Sequence, residues 1–497
     1  MHARVGIPSW LRHFRGDPSS YLLVRALFLR LLGLVYGLAF ISLWVQVEGL
    51  VGSNGILPVA QFLAAVHERL GTEAWYRLPT LCWLNSSDAM LHLLCGGGTV
   101  LALLLVVGLA PVPVLAGLWL FYLSLVVACQ DFLSYQWDIL LLETGFLAIF
   151  WAPLQLKKQR VWAALPSLPI LWLLRWLLFR LMFSSGIVKL LSGDSAWREL
   201  RALNFHYETQ PLPTWTSWYA HQLPEWMQMA SGLGMFAIEL VFPFCIFAPR
   251  RLRLWGGAAL VVLQVLIGAT GNYGFFNLLS VVLCVLLLDD KALQKLRIFH
   301  AAPAGAGRNW PRWVLIPTAL VVLLLGVFQL GHTARLRIGW PAPVVQLYTW
   351  LRPFHLVNGY GLFAVMTTSR PEILVQGSQD GQVWQTYQFK WKPGELQRAP
   401  SFVQPHMPRL DWGMWFAALR SYRDYPWFLN FAARLLEGSS EVLGLLEKNP
   451  FPGPPRYVRA QLYNYRFTDW AERSEKGTWW QRELLGPYCP VLSLRQE

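Results

Sequence analysis

Residues 169–190 read PILWLLRWLLFRLMFSSGIVKL, and this stretch decides the fold. The apolar residues run on rather than alternate, broken only by Arg175 and Arg180, and the block closes in small residues and Lys189. A helix needs about 20 such residues to cross a bilayer, and only a structure that satisfies its own backbone groups survives there. Working outward, eight further apolar blocks fall near 22–47, 89–107, 112–129, 139–152, 230–248, 254–270, 274–288 and 313–331. The reading is an α-helical polytopic membrane bundle of about nine spans over residues 1–331. The block at 139–152 is short for a span.

Composition agrees. Hydrophobic residues make up 55% of the 497 residues and charged ones 14%, against about 25% charged in ordinary soluble domains. Many of the 27 Trp stand near block ends, as an interfacial belt requires. The formal charge of +14 forms no basic stripe, so nucleic acid is excluded as a partner. The first block is too long for a signal-peptide core and reads as an anchor.

Charge orients the spans. With a cytoplasmic N-terminus, Arg4, Arg12, Arg15, Lys157, Lys158, Arg160, Arg250, Arg251, Arg253, Lys291, Lys295, Arg297, Arg308 and Arg312 lie inside, and only Arg69, Arg77, Lys189, Arg198 and Arg201 outside. That bias is the positive-inside pattern. It places the loops 48–88, 130–138 and 189–229 and all of 332–497 on the non-cytoplasmic face. There, 372–377 and 382–391 read as strands joined through Asp380-Gly381, and 456–467 and 478–485 as further strands. Segments 410–420, 427–436 and 441–447 read as helices. The expectation for 332–497 is a soluble β-sandwich-like domain with a helical insertion.

Among six Cys, only Cys82 and Cys489 fall clearly outside the membrane, so one disulfide is the most that can form. Glu143, Arg175, Arg180 and Glu239 lie within spans, where charges are costly and are expected to pair. Gly186 and Lys189 read either as a close helix contact with a snorkelling lysine or as a desolvated base. On the non-cytoplasmic face His67, His206 and His221 with Glu208 and Asp194 read as a loop network or an acid–base site. None has metal-ligand spacing, no GxSxG occurs, and no metal or cofactor is expected.

Nine strings carry a family resemblance: SLWVQ at 42–46, GILP at 55–58, YQWD at 135–138, LLETGF at 141–146, RWLLFRLMF at 175–183, HYETQPLP at 206–213, TGNY at 270–273, PHMPRLDW at 405–412 and PRYVR at 455–459. In these the chain resembles the lipase maturation factor family over nearly its full length. The resemblance implies a membrane-anchored maturation factor, not an enzyme, serving secreted lipases or other exported proteins. It implies a lumenal C-terminal domain in an endoplasmic-reticulum membrane, or a periplasmic one in a bacterial inner membrane. Trp412, Trp415, Trp427, Trp479 and Trp480 are candidate client contacts, with a place in the domain core as the other reading for most of them, and membrane lipids are the other partners. More distantly, Gly186, Lys189, Asp194 and Trp197 resemble the catalytic region of vitamin K-dependent gamma-carboxylase, although Tyr135-Gln136 stands where that family has Asn-His. The alternative this implies is a membrane enzyme acting on a lipid, quinone or peptide, with Lys189 as base beside His206 and Glu208.

Overall fold

The structure is a computed structural model and describes residues 17–155, 164–295 and 308–494. Arg4, Arg12, Arg15, Lys157, Lys158, Arg160 and Arg297 lie outside the described residues. Among the described residues, seven helical segments are long and apolar enough to cross a membrane: Pro18–Trp44, Asp88–Val107, Pro111–Ala128, Leu168–Leu191, Glu225–Phe247, Arg250–Thr270 and Arg312–Thr333. Their helices are α1 (Leu22–Trp44), α2 (Asp88–Val107), α3 (Pro111–Ala128), α5 (Leu168–Leu191), α7 (Glu225–Leu240), α8 (Arg250–Thr270) and α10 (Arg312–Thr333).

The blocks expected at 139–152 and 274–288 depart from the nine-span reading. The first becomes α4 (Gln136–Trp151), of 16 residues, and the second begins as α9 (Phe276–Cys284) and ends in a 3-10 turn at Leu287. Both are too short to cross alone, and both are largely buried. Sheathed by longer neighbours, such helices need not match the hydrocarbon thickness.

Among the described residues the connections gather at two faces of the bundle. At the far face Asp290 accepts the backbone N–H groups of Leu22, Leu23 and Val24 at 2.9–3.1 Å, satisfying three of the donors that a helix start leaves open. Arg250 pairs with Asp289 there. Exposed aromatic residues ring both ends: Trp255 and Trp313 toward the far face, and Trp75, Trp226 and Trp350 toward the opposite one, as interfacial belts do.

The opposite face carries the C-terminal domain. After α10 a short apolar helix, α11 (Ala342–Leu351), buries no residue. A strap over 355–366 then leads into a four-stranded antiparallel sheet of order β2-β1-β5-β6, with β1 at Arg370–Ser378, β2 at Gln385–Thr386, β5 at Tyr457–Phe467 and β6 at Trp480–Leu492. A separate pair joins β3 (Gln388–Phe389) to β4 (Leu446–Lys448). The expected strand at 382–391 is thus split, with a register shift at Gln388/Phe389. The hairpin before it is closed by the Asp380 carboxylate, which accepts the N–H of Gln382 and of Val383 at 2.8 Å, with Gly381 at φ 74°.

Among the described residues the only other sheet is the two-stranded β3–β4 pair, so the expected β-sandwich is not seen. Helices α12 (Arg409–Ala418) and α13 (Pro426–Glu437) pack against β1 and β5 instead. Ile373, Val375, Val458 and Ala460 from the strands and Met414, Phe428 and Phe431 from the helices share one core. Amphipathic helices cover the apolar strand face that a second sheet would otherwise cover.

Candidate functional site

The bundle and the domain are tied together through buried charge. Arg409, at the start of α12, reaches the Asp138 carboxylate on α4 with both terminal nitrogens, at 2.7 and 2.8 Å, and neither residue is more than 2% exposed. Tyr122 of α3 donates to the same carboxylate at 2.5 Å. Beside this pair the Gln46 side chain accepts from Arg409 N at 2.9 Å and donates to Met407 O at 2.8 Å. Ser42 Oγ accepts from Met407 N at 2.8 Å and lies 2.9 Å from His406 Nδ1.

Two further staples repeat the device. Glu143 of α4 pairs with Arg180 of α5 and accepts from Asn358 N at 2.9 Å and Tyr360 OH at 2.8 Å, which pins the strap to the bundle. The buried Arg370 guanidinium at the head of β1 donates to the carbonyls of Glu208 and Pro211 and pairs with Glu372. Asn272 joins Leu212 to 401–404 through four hydrogen bonds of 2.8–3.2 Å: its amide nitrogen donates to Leu212 O and Ser401 O, and its side-chain oxygen accepts from Val403 N and Gln404 N.

Under this lid lies a cavity of about 340 Å³, walled by α5, α7, α8 and the helix α6 (Leu203–Thr209), and roofed by Phe363 of the strap. Small-molecule sites measure about 300–1,000 Å³. Gly186 sets its width. A Cβ there would stand 2.7 Å from Leu240 Cδ2 and 3.0 Å from Glu239 Cβ, so only glycine lets α5 and α7 come this close.

That approach brings Lys189 to Glu239. The ammonium donates to the carboxylate oxygens at 2.9 and 2.7 Å and to Ser185 O at 3.0 Å, which uses all three of its protons. Trp197 lies face-on to it at 5.4 Å, a cation–π distance, and donates its own N–H to Phe363 O.

His206 lines the same cavity. Its Nε2 is 3.3 Å from Tyr273 OH, which donates to Gln210 Oε1 at 2.8 Å, so Nε2 carries the proton and Nδ1 is left as an acceptor. Burial first, and the Lys189 charge second, push the ring down to about 4, and it is neutral at pH 7.

The other expected site residues fall elsewhere. Glu208 faces away from the cavity and accepts from Phe467 N at 2.9 Å, with His221 Nε2 3.8 Å away. Asp194 caps a short helix through Ala196 N, and His67 is exposed. Glu239 takes Lys189 rather than an arginine. Arg175 donates to Leu286 O from two nitrogens and lies over Trp172 at 4.9 Å.

Two expectations are corrected. Trp412, Trp415, Trp427 and Trp480 are 1–6% exposed and belong to the interior, while Trp479 is half-buried under the Arg473 guanidinium at 3.5 Å. The first four are not surface contacts, because Trp412 packs on Tyr135 and Trp137, Trp415 donates to Thr209 O, Trp427 packs on Phe132, and Trp480 packs on Phe467. Cys82 and Cys489 are both free and buried. One sits in the 3-10 turn capped by Thr80 and the other inside β6, each in its own packed surroundings, and burial pushes the Cys489 thiol up to about 11.

Two family models match the chain: Lipase maturation factor transmembrane domain over residues 23–295 and Lipase maturation factor C-terminal domain over 356–490. Lipase maturation factor 2 of Gallus gallus is 36% identical, with 95% of this chain and 81% of that protein covered. Its Homo sapiens counterpart is likewise 36% identical, over 95% and 83%. Lipase maturation factor 1 of Mus musculus is 35% identical, over 99% and 92%. No solved structure matches.

Proposed function

Because this chain belongs to the lipase maturation factor family, an integral membrane family, we propose that it brings exported lipases to their active fold from a membrane-held platform. The observation carrying this reading is the likeness itself, which runs through both the bundle and the domain to proteins of that name. The tryptophans of the domain core are not available to a client, so the contact surface must lie elsewhere. The reading gives that role to the outer edge of β6, where Leu484, Leu485 and Val491 are 53–56% exposed. β6 ends the sheet order, and an edge strand offers unpaired backbone groups to an extended chain.

The face bearing the domain is assigned to the non-cytoplasmic side on the Lys and Arg bias between the loops. That side is where an exported client passes. The test is lipase activity per mass of secreted enzyme, from cells with and without this gene. A fall in specific activity at constant secreted mass supports the proposal, and an unchanged value removes lipases as clients.

A further inference from the structure

The cavity beneath the strap has features that packing alone does not explain. It reaches from Lys189, at the domain-face end of α5, to Met182 seven residues deeper, about 10 Å at 1.5 Å per residue. Its deep wall is apolar apart from Gln264 of α8, which is 4% exposed. The Gln264 amide nitrogen has only Met182 Sδ, at 3.7 Å, and its side-chain oxygen has no partner. His206 Nδ1, at the shallow end, is also buried without one. A buried polar atom left unpaired costs about 1–3 kcal/mol, and two in one cavity call for a ligand.

The chemistry of that ligand follows from what remains unspent. Both orphan atoms are acceptors, so the ligand donates hydrogen bonds. Lys189 and Glu239 neutralise each other and His206 is uncharged, so nothing in the site favours an ion of either sign. A cation would face the Lys189 ammonium, and an anion would face the Glu239 carboxylate and two bare lone pairs. Leu266 lines the cavity and is also 57% exposed, on the same outward side of α8 as Val262 and Val265. The wall it forms therefore borders the hydrocarbon region directly, which gives an apolar ligand a lateral way in.

We infer that the cavity binds a neutral membrane lipid of the glyceride type with two free hydroxyls, one donating to His206 Nδ1 and the other to Gln264 Oε1, and its chain along Met182, Leu263 and Leu266. Nothing in this depends on lipases being the clients. The pair Lys189–Glu239 closes the polar end and the strap residue Phe363 covers it.

The full chain in nanodiscs, irradiated with a monoacylglycerol carrying a diazirine in its acyl chain, tests this directly. Crosslinks are expected at the cavity-facing positions of 181–189 and 263–267, and unlabelled monoacylglycerol should compete them away. Gln264→Leu, which keeps the volume and removes an acceptor, should lower the labelling about five- to tenfold. Met235→Trp, which fills the cavity, should abolish it. Thermal unfolding shows that each variant is folded, and if Met235→Trp is not, Gln264→Leu alone decides. Labelling that spreads evenly over Val262 and Val265 and survives both substitutions would overturn the site. Stronger labelling by the corresponding diazirine fatty acid, a carboxylate, would overturn the neutral-ligand assignment.

Discussion

Arg409 and Asp138 stand 271 positions apart in the chain and meet in a two-point ion pair with almost no solvent access. One belongs to the C-terminal domain and the other to a helix inside the membrane bundle, so the pair makes the two parts a single packed body. Two further bonds support it: Tyr122 donates to the carboxylate and Phe132 O accepts from the guanidinium, while Arg409 Nε is left without a partner. A buried pair is tolerable only when most of its lone pairs and protons are satisfied in this way.

Removing one partner strands the other. Arg409→Met or Asp138→Asn should each destabilise the protein by about 3–5 kcal/mol, the range for breaking a buried pair. The double variant Asp138→Leu with Arg409→Met should recover much of that loss. Thermal unfolding of the detergent-solubilised chain measures all three. Additive losses in the double variant would show that the two side chains are not coupled.

Acid should loosen the domain from the bundle. His206 is held at about 4 by burial and then by Lys189, and His406 at about 4 by burial and then by Arg409 and Lys390. The unfolded chain titrates near 6.5. Both folded values are depressed, so as pH falls the unfolded state takes up protons first, and stability present above pH 6.5 is lost toward pH 4. The loss is at most about 3 kcal/mol per ring, and less for His406, whose partly exposed ring is screened by solvent. Melting temperature from pH 7.5 to 4.5 should fall, and the double variant His206→Gln, His406→Gln should flatten the slope.

Gly186 governs how closely α5 and α7 pack. Its missing Cβ would meet Leu240 Cγ at 2.9 Å and Glu239 Cβ at 3.0 Å, so Gly186→Ala must push the helices apart. Overpacking of this kind costs about 1–3 kcal/mol, and it moves Glu239 away from Lys189. Melting temperature should drop, whereas alanine at Gly234, which has open space around it, should leave it within about 1 °C of the native value.

The membrane bundle was legible because long apolar runs have few other uses, and the strand at 370–378 because the Asp380-Gly381 turn chemistry bounds it closely. Partnership was not legible. YQWD and PHMPRLDW each display a charged residue, but no local period links Asp138 to Arg409, and Glu239 gives no sign that it takes Lys189 rather than Arg180. The lengths of the short helices α4 and α9 were not legible for a related reason. A buried helix inside a bundle is as apolar as a lipid-facing one, and only its length of 16 residues or fewer hints that neighbours shield it. Tryptophans misled most: composition shows that they are many, not which way α12 and α13 turn them.

That last error separates two kinds of substitution. Trp480 is 1% exposed, packed on Phe467 at 4.4 Å and against the Arg370 guanidinium at 5.4 Å. Trp480→Ala should therefore cost about 3–5 kcal/mol of stability and reduce lipase maturation only by lowering the amount of folded protein. Leu484 and Leu485 lie on the same strand at 54% and 56% exposure, and surface changes there are usually within about 0.5 kcal/mol. Leu484→Lys with Leu485→Lys should leave melting temperature and expression unchanged while lowering the specific activity of secreted lipase several-fold, because charge on an edge strand opposes addition of another chain. The two variants compared at matched protein levels distinguish a client surface from a folding defect. If the double lysine variant matures lipase as well as the native chain does, the β6 edge is not where clients dock.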